Sequence, residues 1–151
     1  MFKRIVLATD FSEAAETARQ LTERLVSDVS GVDLAVLTVF DPRDELPREG
    51  VFLPSNLAEE HELKKFYAER EEAMVDYCRQ LKNRGIPAEQ VVREGEPAKT
   101  IREFATSWRA DLIVIGATGK SSATDQTLGS TADTLLRHSH IPVLVAAHTP
   151  G

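Results

Sequence analysis

The sequence contains one cysteine, Cys78, in 151 residues. No disulfide can close within one copy of the chain, so the fold must rest on its core, and the count suits a reducing cytosol. Basic excess is lacking too: 18 Lys and Arg face 24 Asp and Glu, a net charge of −6. Broad binding to nucleic acid or to an anionic membrane needs a basic face and is excluded, while a local basic pocket for a small anion is not. No apolar run approaches the length of a membrane span. The apolar part of MFKRIVLATD is too short for a signal-peptide core. The chain is therefore expected to be cytoplasmic. Residues 1–151 are expected to form one domain, long enough to bury about two-thirds of its unfolded surface.

Short apolar runs alternate with helical periodicity. KRIVLA (3–8) reads as a buried strand, followed by Ser12 as a helix cap and by Ala14, Ala18, Leu21 and Leu25 at helical spacing. VDLAVLTVF (32–40) is a second strand, and 41–55, with three prolines, reads as a surface loop. A long helix is expected from about Leu57 to Gly85, with Leu63, Phe66, Tyr67, Met74, Tyr77, Cys78 and Leu81 on its apolar face. A strand at 88–93 precedes a helix opened by Pro97, with Ala98, Ile101, Ala105 and Trp108 inward. Strand 111–116, a polar loop to about Leu128, a helix from Ser130 or Thr131 to His138 and strand 141–147 complete the chain. This alternation predicts an α/β fold, a single open parallel sheet of five strands with helices on both faces.

The chemistry is concentrated in GATGKSSATDQTLGST, residues 116–131. It is not a P-loop: G-x-x-x-x-G-K-[ST] would need glycine at 114, where the chain has Val114. The last strand, IPVLVAA, also offers no acid for magnesium. The pattern is instead G-x2-G-x9-G-[ST], running from a buried strand into a helix. Gly116 leaves the strand end without a Cβ in a ligand's way, and Gly119 permits a turn. Gly129, Ser130 and Thr131 stand at a helix N-terminus, where free N–H groups and the dipole attract phosphate. His61, His138, His140 and His148 show no metal spacing, and no nucleophile elbow or motif-placed pair of carboxylates is present.

With KRIVLATDFS, TVFD, GEPAKTI and the closing HIPVLVA, this motif makes the chain resemble the universal stress protein family over about Phe2–Ala147. The resemblance implies an adenine-nucleotide-binding, Rossmann-like fold with strand order 3-2-1-4-5, and ATP or AMP as ligand, with Mg²⁺ or Mn²⁺ shared among phosphates, water and Asp10. It implies that Ala8 and Thr9 line the approach, Asp10 faces the ribose, and Val39 holds the adenine through its backbone. Ile115 and Gly116 would flank the ribose or α-phosphate, and Gly119, Gly129, Ser130 and Thr131 would wrap the phosphates. Many members have histidine where this chain has Thr38, and a basic residue where it has Thr118; Lys120 stands ready for that contact.

The function expected is nucleotide-dependent regulation in a stress response, with at most slow ATP hydrolysis because no residue reads as a base for water. Two alternatives stay open: a dimerisation module with a non-functional site, and an adenylating enzyme of the same fold. A homodimer through the last strand is expected, since IPVLVAA is too apolar for a bare sheet edge.

Overall fold

A computed structural model describes residues 2–45, 56–118 and 128–147. Five parallel strands, β1 (Arg4–Ala8), β2 (Asp33–Phe40), β3 (Glu89–Glu94), β4 (Leu112–Gly116) and β5 (Val143–Ala146), lie in the order β3-β2-β1-β4-β5. The helices are α1 (Glu13–Val26), α2 (Pro42–Glu45), α3 (Asn56–Asn83), α4 (Pro97–Ser107) and α5 (Ser130–His138). Register places Leu7 of β1 between Val36 of β2 and Val114 of β4, so the central strands are apolar on both sides.

Two cores form, one on each face of the sheet. Ile5, Leu7, Val36 and Val114 pack with α1 and α3 through Ala15, Ala18, Met74, Tyr77 and Leu81. Val6, Leu37, Ile113 and Ile115 pack with α4 and α5 through Ile101, Ala105 and Leu135. The chain therefore leaves β1 onto one face and β4 onto the other.

Three local expectations are corrected. The segment expected to be loop opens with α2, because Asp41 caps it by accepting from Arg43 N–H at 3.0 Å and Pro42 suits a first helical position. Leu25 is not an inward residue of α1 but 37% exposed, while Arg19, Thr22 and Glu23 are buried. The reason is that α1 meets both the sheet and α3, which widens its buried face past the apolar stripe. Among the described side chains of α3, only Met74, Tyr77, Cys78 and Leu81 are buried. Leu63, Phe66 and Tyr67 are half-buried, and the rings of Phe66 and Tyr67 meet Phe40 edge-on.

The end of α3 follows from Gly85. Its φ of +74° is a left-handed turn position, and Ile86 N–H returns to Leu81 O at 2.9 Å. On α1, Arg19 donates to Glu16 and, at 2.6 Å, to Glu23, which Arg84 also reaches at 3.2 Å. Burial works against the Arg19 charge, but its hydrogen bond to the Glu16 carboxylate and the charges of Glu16 and Glu23 outweigh it and hold the guanidinium pKa above its ordinary value.

Candidate functional site

The strands' carboxyl ends place most of the expected residues on one rim. Ala8 ends β1, with Thr9 and Asp10 following; Val39 lies near the end of β2; Ile115 and Gly116 end β4. α1 and α5 leave on opposite faces of the sheet, which makes the ends of β1 and β4 the switch point at which open parallel sheets take ligands.

The β1–α1 turn is wired tightly. Thr9 N–H donates to Leu37 O at 2.9 Å, extending the ladder past β1. Thr9 Oγ1 accepts from Phe11 N–H at 3.0 Å, and Asp10 Oδ1 accepts from Ser12 N–H at 3.0 Å. Ser12 then caps α1, its Oγ accepting from Ala15 N–H at 3.3 Å. Between them Phe11 holds φ +65°, a left-handed conformation uncommon for an aromatic residue. Its ring meets Tyr77 edge-on at 5.8 Å, and Tyr77 OH donates to Ala15 O at 2.8 Å. Burial pushes the Tyr77 phenol well above its ordinary range, so it stays a donor. The sequence placed Tyr77 on the apolar face of α3 but gave neither residue a role at this turn. Phe11 sits where Gly, Asn or Asp is usual, and Tyr77 reaches its partner across 62 positions of chain, so neither carries a local signal.

Gly116 has a packing role that the motif did not reveal. A Cβ there would lie 2.6 Å from Ala14 O and 2.7 Å from Ala14 C, so the end of β4 and the first turn of α1 touch backbone to backbone. Past it, Ala117 N–H donates to Ala146 O at 3.1 Å, and Ala117 O accepts from Gly129 N–H at 2.7 Å. That last bond brings the third glycine of the motif back beside the first. Gly119 and Lys120 lie outside the described residues.

Gly129 is buried and caps α5 with φ −63° and ψ 154°, angles open to any residue, and no side chain caps the helix. Ser130 and Thr131 begin the helix beside the end of β4, Ser130 exposed and Thr131 half-buried. The acid in the first turn, Asp133, is held by Arg137 Nε at 3.1 Å from both carboxylate oxygens, which leaves that end of the helix suited to an anion. Among the described residues, no group of three His, Cys, Asp or Glu side chains could hold a metal ion. None of the described helices is long and apolar enough to cross a membrane.

A family model described as "Universal stress protein family" matches residues 1–147. The universal stress protein MJ0531 of Methanocaldococcus jannaschii is 33% identical over 147 residues, covering 96% of this chain and 82% of that protein. The solved structure of MJ0577, from the same organism, superposes with a TM-score of 0.84 at 28% identity, covering 100% of this chain and 99% of that one. A universal stress protein solved in complex with cAMP shares the fold, with a TM-score of 0.68 at 21% identity over 97% of each chain.

Proposed function

The chain belongs to the universal stress protein family, and from that premise we infer that it is a regulatory protein that binds ATP or AMP in the crevice between β1 and β4. The observation that carries this reading is the Gly129 N–H bond to Ala117 O at 2.7 Å. It sets the uncapped start of α5 beside the end of β4, across the crevice from the β1–α1 turn. Ala8, Thr9 and Asp10 would face the ribose from one side, with Ile115 and Gly116 on the other. Val39 would offer its backbone to the adenine, and Gly119, Gly129, Ser130 and Thr131 would surround the phosphates. The relative in complex with cAMP supports an adenine nucleotide as the ligand class.

Any Mg²⁺ or Mn²⁺ would be carried by the phosphates and water, with Asp10 as the nearby carboxylate, since the described residues form no metal cluster of their own. The role is to convert nucleotide occupancy into altered partner contacts during stress, in the cytoplasm, with hydrolysis at most slow.

A homodimer through β5 belongs to the same proposal. The two sheet edges differ: β3 carries Glu89, Gln90, Arg93 and Glu94, whereas β5 reads VLVA with three half-buried apolar residues. Pro142 O and Ala146 O accept from the β4 side. By strand alternation Val143 and Val145 turn their N–H groups outward, free to pair with a second copy.

The test is to denature freshly purified protein and identify released nucleotide by mass, then titrate the stripped protein with ATP, AMP and GTP, with and without Mg²⁺. At about 100 times its dissociation constant a ligand adds about 2.7 kcal/mol of stability. A thermal shift of that size with adenine nucleotides, lost in Gly129→Leu, is expected. No released nucleotide and no shift would reject the reading and leave the dimerisation module in its place.

A further inference from the structure

Beside α4, at the amino-terminal end of β5, lies a second, open cleft of about 410 Å³. It shares no residue with the candidate nucleotide crevice. Lys99, Arg102 and Thr106 line it from α4, and His138 and His140 from the end of α5 and the turn that follows. Glu103 is the acid there, and its carboxylate lies 4.0 Å from Lys99 Nζ. In a chain of net charge −6, two permanent cations and two imidazoles thus meet one carboxylate.

Arg102 is the unsatisfied member. Its Nε is buried with no hydrogen-bond partner among the described residues, an arrangement that costs free energy unless something is bound. Packing does not demand an arginine here, because α4 meets the core through Ala98, Ile101 and Ala105. Arg102 lines the cleft, and a guanidinium is the fork that matches phosphate oxygens in pairs. With Lys99, the two imidazoles and the Thr106 hydroxyl, the donors outnumber what the two oxygens of a carboxylate can use. They suit the three terminal oxygens of a phosphoryl group. The cleft volume falls within the range of about 300–1,000 Å³ usual for small-molecule sites.

We propose that this cleft binds a small phosphate-bearing molecule, gripped by Arg102 and charge-balanced by Lys99, as a second anion site separate from the nucleotide crevice. The test is titration of the ¹⁵N-labelled full chain with inorganic phosphate and with pyrophosphate, against chloride at matched ionic strength. The readouts are the Arg102 Nε–H signal and the amides of α4 and of residues 138–141. Saturable shifts there are expected, weakened about tenfold or more by Arg102→Gln and less by Lys99→Gln, with the rest of the amide spectrum retained. Absence of saturable shifts at these residues overturns the proposal. So do shifts that both substitutions leave intact, or shifts confined to the residues around Gly116 and Gly129.

Discussion

Replacing Gly116 by alanine adds one methyl group where two backbones already touch. An ideal Cβ at that position lies 2.6 Å from Ala14 O, 2.7 Å from Ala14 C and 2.9 Å from Ala14 Cβ. Non-bonded carbon contacts are comfortable at about 3.5–4.0 Å, so the first turn of α1 must retreat by about 1 Å. Backbone cannot swing aside as the end of a long side chain can. Overpacking of this kind costs about 1–3 kcal/mol. For a domain of this size each kcal/mol moves the melting temperature by about 2–4 °C, so a central cost of about 2 kcal/mol lowers Tm by about 4–8 °C. Thermal unfolding followed by circular dichroism measures it directly. Because Asp10 and Ser12 are bonded into the same turn, adenine-nucleotide affinity is expected to fall as well. A Tm unchanged to within about 1 °C refutes the packing argument. If affinity alone were lost, glycine would be there for the ligand and not for α1.

Glu23→Gln is expected to cost about 3 kcal/mol in urea unfolding, because it removes a charge that is 5% exposed and shared by Arg19 and Arg84; a loss below about 1 kcal/mol, the scale of a surface pair, would contradict the buried network. Val145→Pro removes only an outward N–H of β5, so the parent is expected to be a dimer and the variant a folded monomer by light scattering; a variant as dimeric as the parent rules out pairing through this edge. Burial pushes the Cys78 thiol from 9.0 up to about 11. A raised acid is held neutral in the folded state, so its contribution is complete below about pH 9 and is lost as pH climbs towards 11. The urea midpoint should therefore fall more steeply across that window in the parent than in Cys78→Ala, and equal slopes would dispose of the claim.

Most of the strands were legible because they are short apolar runs bounded by Gly, Pro or a capping residue, and alternation with helices pointed to a parallel sheet; their order came from the family resemblance. Ser12, Pro97 and Gly85 marked helix ends through chemistry that acts within a few residues. Positions decided by contact across the fold were not legible. Arg19 and Glu23 look like solvated helix charges until α3 covers them. Gly116 reads as a ligand glycine, and its contact with Ala14 appears only once α1 crosses the end of β4. Arg102 lies among ordinary α4 charges, and the cleft it lines takes shape only where the end of α5 and the turn after it meet α4. The motif's place between β4 and α5 marked where a ligand is expected, but the bond that draws Gly129 to Ala117 has no sequence signature.

That bond also governs how the molecule can vary. Residues 118–128 begin and end at a clasp made by backbone atoms alone, the Ala117 carbonyl and the Gly129 amide. Lengthening a closed segment twofold adds only about 0.6 kcal/mol of closure cost. A change in the length of the interval is therefore expected to cost the sheet beneath little stability, so long as the Ala117–Gly129 clasp is kept.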